Sequence, residues 1–194
     1  MISQFDYEII PESEYRVIRG ISSTIVFMKL PHGANIYGND NKFAKLAKSI
    51  RLYYGCHVIC SSNYGDEISM ENDLKVIKEY AASKRICYPT YKFIGFFDGA
   101  NYGLSYLYHQ INFSKMVLVN MEMNNNLIKA IELLDGIDKK KVTFVYSPED
   151  PSYRYTLLLK RLYATVLDMK DEKDFSNWPK GKALFERLHL DTIL

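Results

Sequence analysis

The stretch that decides the fold is Ile94-Gly95-Phe96-Phe97-Asp98-Gly99-Ala100-Asn101-Tyr102-Gly103, in which an apolar run passes directly into a helical pattern. The run Tyr91–Phe97 predicts a β-strand, and Ala100–His109 predicts a helix that follows almost at once. A turn this sharp brings two backbones together, so the residues two before and two after its centre must be small. Gly95 and Gly99 meet this need around Phe97. The stretch therefore predicts a strand-to-helix elbow centred on that phenylalanine.

On both sides of the elbow, short apolar runs alternate with amphipathic helical patterns. The first two runs, Phe5–Ile10 and Tyr15–Ile21, are separated by a turn-rich Pro-Glu-Ser-Glu segment and predict an antiparallel hairpin. Later strands are expected at Thr24–Leu30, His57–Ser61, Tyr91–Phe97, Lys115–Met121, Val142–Tyr146 and Thr165–Met169. Helices are expected at Asn39–Tyr53, Met70–Ala82, Ala100–His109, Asn125–Leu134, Ser152–Tyr163 and Lys182–Leu188. This order predicts an α/β fold in one domain over residues 1–194, with a mixed, mostly parallel sheet of about eight strands and helices on both faces.

The composition is that of an ordinary globular protein. Hydrophobic residues make up 47% of the 194 residues and charged residues 25%, which suffices for a full core. The 25 basic and 23 acidic side chains leave a formal net charge of +2, so no strong field favours nucleic acid or anionic lipid, and we expect no nucleic-acid partner. No apolar stretch approaches the roughly 20 residues that span a bilayer, so we expect no membrane partner either. Three cysteines argue against a disulfide framework and predict a reducing, cytoplasmic setting.

The segment Cys56-His57-Val58-Ile59-Cys60 contains metal-ligating side chains in an unsuitable pattern. In a strand, Cys56 and Cys60 face one side while His57 faces the other, so packed thiols are the better interpretation. The spacing of the glycines at 95, 99 and 103 matches neither the dinucleotide-binding nor the phosphate-loop motif. We therefore expect no metal and no cofactor.

The residues that directly follow the strands are the candidates for a site, because ligands of parallel sheets bind at the carboxyl ends of the strands. Read in chain order, these positions hold His32-Gly33-Ala34, then Phe97 and Asp98 in the elbow, then Asp150 and Lys173. The series resembles the α/β-hydrolase family over nearly the whole chain. In that family antiparallel strands come first, a His-Gly loop follows the third strand, and a small-x-nucleophile-x-small elbow follows the fifth. An acid and a histidine come after later strands.

The resemblance implies a role for each of these positions. Phe97 stands at the nucleophile position but has no nucleophilic atom, so the acyl-enzyme step of a serine hydrolase cannot start there. Asp150 matches the triad acid, and Lys173 lies at or near the place of the histidine. The loop residues His32, Gly33 and Ala34, with the amide of Asp98, correspond to the oxyanion-binding positions. One matched triad position of three does not make a triad.

Three alternatives remain open for these residues. Asp98 could itself be an aspartate nucleophile, although Phe96 would then occupy a position that requires a small residue. His32 is either a loop histidine bonded to backbone or a catalytic group. Asp150 is equally suited to an ordinary turn that caps the helix beginning near Ser152.

The pattern leads to three functional hypotheses. In the first, a hydrolase-like pseudoenzyme without serine-hydrolase activity binds a small ligand or a protein through the former active-site edge. In the second, a carboxylic-ester hydrolase or acyltransferase uses a displaced constellation such as Asp98, Asp150 and His32. In the third, the chain is an interaction subunit or homodimer without a ligand. The missing nucleophile favours the first. The short connection Glu122–Asn124 further predicts a lidless and open pocket.

Overall fold

Eight β-strands of the chain form one sheet. The computed structural model describes residues 7–9, 15–34, 42–63, 66–122, 135–146, 150–161 and 165–168. The strands are β1 Tyr7–Ile9, β2 Tyr15–Ile18, β3 Thr24–Lys29, β4 His57–Ser61, β5 Thr90–Phe96, β6 Phe113–Val119, β7 Val142–Tyr146 and β8 Thr165–Asp168. Their order across the sheet is β1-β2-β4-β3-β5-β6-β7-β8. β2 pairs antiparallel with both β1 and β4, and all other pairs are parallel. The predicted mixed, mostly parallel sheet is confirmed.

The helices pack on both faces of this sheet, as predicted. They are α1 Lys42–Tyr54, α2 Glu67–Ser83, α3 Asp98–Tyr102, a π-helical turn Gly103–Leu107 that continues into α4 Tyr108–Gln110, a 3-10 helix Pro151–Tyr155, and α5 Thr156–Arg161. α1 packs on one face through Leu46, Ala47 and Ile50. α2 and the π-helical turn pack on the other, with Ile77 and Leu104 among the buried residues there. The predicted helices Asn125–Leu134 and Lys182–Leu188 lie outside the described residues.

Several boundaries differ from the predicted ones for local reasons. α2 begins at Glu67 instead of Met70, because the Asp66 carboxylate caps the helix by accepting from the Ser69 amide at 2.8 Å. The segment predicted as a helix from Ser152 starts as a tighter 3-10 turn. β3 alternates its buried side chains between the two cores, which explains why its sequence is continuously apolar.

The cysteines of β4 are packed thiols. Cys56 and Cys60 both belong to the core under α1, whereas His57 bonds to groups on the opposite face. Burial raises the pKa of the Cys60 thiol to about 12 and also raises that of Cys56, so both stay protonated near neutral pH. Within the described ranges, no three potential ligands are grouped to hold a metal ion.

His57 is buried as a neutral ring at the amino end of β4. Its Nδ1 accepts a hydrogen bond from the Gly20 amide at 3.1 Å and lies 2.8 Å from the Tyr80 hydroxyl. Because Nδ1 is an acceptor, the proton belongs on Nε2, which donates to the Ser22 carbonyl at 3.1 Å. Burial lowers the pKa of His57; the Ser22 bond opposes this, while the nearby cations Arg19, Lys84 and Arg51 lower it further. The folded state therefore favours the neutral ring.

We expect the stability of the protein to fall as the pH drops below about 6.5, the pKa of an unfolded histidine. The folded-state pKa of His57 is depressed, so its contribution is complete above the unfolded pKa and is lost as the pH falls toward the folded value. Urea denaturation at pH 7.5 and at successively lower pH measures the effect. His57→Gln should remove this part of the pH dependence, and an unchanged slope in that variant would contradict the assignment.

Candidate functional site

The elbow between β5 and α3 consists of a single residue. β5 ends at Phe96 and α3 begins at Asp98, with Phe97 between them at φ 52° and ψ −121°. A residue with a side chain in such a conformation carries about 1–3 kcal/mol of strain. The strain is held by hydrogen bonds: the Phe97 amide donates to the Val119 carbonyl at 2.9 Å, and the Phe97 carbonyl accepts from the Ala100 amide at 3.0 Å. The backbone thus has the sharp, strained form of a nucleophile elbow.

Both glycines of the elbow are required by close backbone contacts. A Cβ atom at Gly95 would lie 2.6 Å from the Ala100 Cα. At Gly99 it would lie 2.7 Å from the carbonyl oxygen of Lys29 and 2.9 Å from that of Leu30. These distances are well inside van der Waals contact, which accounts for the small residues on each side of Phe97.

The Phe97 side chain is half-buried at the carboxyl end of the sheet. It packs against the core under α1, as do the half-buried side chains of Ala34 and Phe43. The Phe43 ring meets the buried Phe96 ring edge-on, with 5.1 Å between centroids. Position 97, where the nucleophile of a hydrolase would stand, therefore carries an apolar aromatic ring.

The loop after β3 approaches the elbow through Asp98. The amide of His32 donates to Asp98 Oδ2 at 3.1 Å, so the structure brings these two predicted site residues together. Asp98 Oδ1 accepts from the Gly99 amide at 2.9 Å. The other two loop amides also donate inside the protein, Gly33 to the Ser62 carbonyl at 3.3 Å and Ala34 to the Pro31 carbonyl at 3.0 Å. The three loop amides at the predicted oxyanion positions are therefore already engaged.

Asp150 lies after β7, on the same edge of the sheet, and its hydrogen bonds stabilise a turn. Its Oδ1 accepts from the Ser152 amide at 2.8 Å, and its carbonyl accepts from the Tyr153 amide at 2.9 Å. Burial, and secondarily the charge of Asp150, raises the pKa of Tyr146, whose hydroxyl donates to the Met121 carbonyl at 3.1 Å. The carboxylate thus caps the 3-10 helix. Lys173 lies outside the described residues.

A buried ion pair beneath the elbow was missed by the sequence reasoning. Lys29 Nζ lies 2.7 Å from Asp73 Oδ2, and the two side chains are 2% and 0% exposed. The Asp73 carboxylate also accepts from Tyr15 at 2.5 Å, Ser61 at 3.2 Å and Asn63 at 3.5 Å. Two features of the sequence could have indicated this pair: Lys29 lies within the apolar run of β3, and Asp73 lies on the buried face of α2.

The ion pair also supports the elbow helix. Lys29 Nζ lies 4.5 Å from the centroid of the buried Tyr102 ring, within range of a cation–π interaction. Burial, and next the charge of Asp73, raises the pKa of the Tyr102 hydroxyl. Since Gly99 packs against the Lys29 carbonyl, the pair links β3 and α2 to α3, the helix that begins directly after Phe97.

Solved structures with a similar fold are α/β hydrolases. A lidless α/β serine hydrolase from Xanthomonas campestris superposes with a TM-score of 0.62 at 16% identity, over 92% of this chain and 87% of that one. An α/β serine hydrolase homologue from Coxiella burnetii gives 0.62 at 14% identity, over 98% of both chains. A putative α/β hydrolase from Agrobacterium tumefaciens gives 0.64 at 12% identity, over 91% of this chain and 89% of that one.

At the level of sequence, no protein-family model and no curated protein matches the chain. In the part of the chain that the structure describes, no helix has both the length and the apolar character to cross a bilayer. The strand order, the strained elbow and the structural neighbours agree on one architecture. The chain has the α/β-hydrolase fold.

Proposed function

We propose that the chain is a single α/β-hydrolase-like domain, residues 1–194, that binds a small ligand or a protein partner without serine-hydrolase activity. The observation that carries the proposal is Phe97 at φ 52° in an otherwise intact elbow. Acyl transfer requires an oxygen, sulfur or nitrogen nucleophile at this point, and a phenyl ring supplies none.

The engaged loop amides support the same conclusion. An oxyanion hole needs backbone N–H groups that point at the developing charge with no other acceptor in place. Here the His32 amide donates to the Asp98 carboxylate, and the Ala34 amide donates to the Pro31 carbonyl. A substrate oxyanion would have to displace both bonds and would meet the negative charge of Asp98.

The apolar surface around Phe97 supports binding in place of catalysis. The Phe97 ring packs against the same core as Ala34 and Phe43 and stays half exposed at the carboxyl edge. Aromatic side chains combine large contact area with little conformational freedom, which suits them to recognition. We propose that this face, in the cytoplasm, is the contact surface for the ligand or partner.

An ester panel tests the absence of hydrolysis. Purified protein should give no turnover above background with short- and long-chain p-nitrophenyl esters and no labelling by a fluorophosphonate probe. Phe97→Ser should remain at background in both assays, because no histidine is expected near enough to take the serine proton. Phe97→Ala is the matched control for loss of the ring. Strong turnover by the wild-type chain or by Phe97→Ser alone would overturn the proposal.

A second candidate function is an ester hydrolase or acyltransferase that uses Asp98 with His32 and Asp150. The observation in its favour is the 3.1 Å hydrogen bond from the His32 backbone amide to Asp98 Oδ2, which holds the loop that carries His32 beside this carboxylate. If the ester panel gave turnover, Asp98→Asn and His32→Gln would each have to abolish it. Turnover retained in both variants would exclude this constellation.

A further inference from the structure

Basic residues are concentrated at one edge of the sheet, although the formal net charge of the chain is only +2. The amino edge comprises the amino ends of the parallel strands and the chain segments that lead into them. It carries the basic residues Arg19, Arg51, Lys84, Arg85, Lys92, Lys115, Lys139, Lys140 and Lys141. The acidic residues described at this edge are Asp135 and Asp138. At the carboxyl edge the structure places Asp66, Glu67, Asp98, Glu122 and Asp150, together with the basic residues Lys45 and Arg154.

Three cations of the amino edge are held by hydrogen bonds to neighbouring segments of the same edge. Arg51 Nε donates to the Arg19 carbonyl at 2.8 Å, and Lys115 Nζ donates to the Lys140 carbonyl at 2.8 Å. Lys141 Nζ donates to the Asn112 side-chain oxygen at 2.9 Å. Each of these bonds ends on a neutral oxygen, so it holds a cation in place without cancelling its charge. The result is a positive field along this edge.

Exposed apolar side chains share the amino edge with these cations. Ile21 is 82% exposed, Leu52 63%, Tyr53 44% and Tyr88 90%. Ile21 is anchored beside the end of α1, because its amide donates to the Gly55 carbonyl at 2.8 Å. The other exposed large hydrophobic residues described, Ile68 and Leu157, lie at the start of α2 and in α5.

The basic residues extend along a row of neighbouring strand ends. From β2 across β4, β3, β5 and β6 to β7 there are five steps of about 4.8 Å, which gives an edge of about 24 Å. A row of this length is long enough for several cations to contact one extended partner at the same time.

We propose that the amino edge binds the surface of an anionic lipid bilayer. Interfacial membrane contacts combine lysines and arginines, which attract lipid phosphates and carboxylates, with apolar side chains that enter the headgroup region. A nucleic acid would also be attracted by the cations, but its binding would not account for the exposed apolar side chains of Ile21 and Leu52. A protein interface would favour arginine and disfavour lysine, which dominates here. This proposal revises the expectation of no membrane partner, which rested on the lack of a spanning segment and on the net charge of +2. A peripheral contact needs no membrane-spanning helix, and it leaves the elbow at the opposite edge accessible.

Vesicle co-sedimentation of the full chain tests this inference. The protein should sediment with phosphatidylserine–phosphatidylcholine vesicles at low ionic strength and stay in the supernatant with pure phosphatidylcholine. Raising the salt should release it, because exposed charges are screened over about 10 Å at 0.1 M salt. No sedimentation with the anionic vesicles would overturn the proposal, as would tighter binding to a single-stranded oligonucleotide than to those vesicles.

Two pairs of variants separate the charged and apolar contributions. The double variant Lys139→Gln, Lys140→Gln should bind the anionic vesicles more weakly, by about fivefold per lysine removed. The charge control is the double variant Lys75→Gln, Lys78→Gln, which removes two lysines from the exposed side of α2. Ile21→Ser with Tyr88→Ser should weaken binding further, and Ile68→Ser with Leu157→Ser is the apolar control. Circular dichroism verifies that each variant is folded. Equal losses in the edge variants and the control variants would contradict the assignment to this edge.

Discussion

Asp73→Ala is expected to lower the free energy of unfolding by about 3–5 kcal/mol, because it leaves the Lys29 ammonium buried without its counter-charge. The lysine is 2% exposed and lies 2.7 Å from the carboxylate, so water cannot replace the lost partner without opening the core. The hydroxyls of Tyr15 and Ser61 would lose their acceptor as well. Urea denaturation at neutral pH measures the difference.

Two further variants show that the loss comes from the unpaired charge. Lys29→Met with Asp73→Leu should be far less destabilised than Asp73→Ala, since no buried charge remains. Lys75→Ala breaks an ion pair of 3.9 Å whose side chains are 66% and 67% exposed, and it should change stability by at most about 1 kcal/mol. If Asp73→Ala were as mild as Lys75→Ala, the pair would not be the internal support that the structure indicates.

Gly99→Ala is expected to destabilise the protein by about 3 kcal/mol, at the upper end of overpacking effects. The new methyl group would lie 2.7 Å from the Lys29 carbonyl oxygen and 2.9 Å from that of Leu30, and backbone atoms cannot move aside as a flexible side chain could. Because α3 would have to move away from β3, the elbow would change with it. Thermal unfolding gives the stability, and the backbone amide resonances of Phe97 and Asp98 report the change at the elbow.

The matched control for this steric effect is Gly33→Ala. Gly33 has φ 71°, but a Cβ atom there meets nothing within 4 Å. The substitution should therefore cost only about 1 kcal/mol, through backbone conformation alone. Equal effects at the two glycines would mean that the contact between Gly99 and Lys29 is not the cause.

Sequence patterns predicted the parts of the fold that depend on local order. β4 and β7 have the predicted boundaries, because each is a short apolar run between clear breaks. The elbow was recognisable because its crowding restricts two positions to glycine. The π-helical turn was not predicted. It begins at Gly103, where a Cβ atom would lie 2.1 Å from the Phe93 ring of β5. No local pattern contains that contact.

The site was less predictable than the fold, because its contacts join distant parts of the chain. The interaction of Asp98 with the His32 amide links residues 66 positions apart, and Lys29 meets Asp73 across 44 positions. A lysine at the end of a strand is usually exposed, so its burial here depends on a partner that only the folded structure provides. The concentration of basic residues at the amino edge is likewise invisible in a net charge of +2.

The elbow backbone is fixed by residues other than the one at its centre. Gly95 and Gly99 allow the close approach, the Val119 carbonyl anchors the amide of residue 97, and α3 takes up its carbonyl. None of these contacts uses the phenyl ring. The side chain at position 97 can therefore be exchanged while the backbone conformation of the turn, and with it the direction of the Cα–Cβ bond, is kept. For protein engineering this makes position 97 a suitable attachment point. A cysteine or an unnatural amino acid placed there would project from a defined backbone at the carboxyl edge of the sheet.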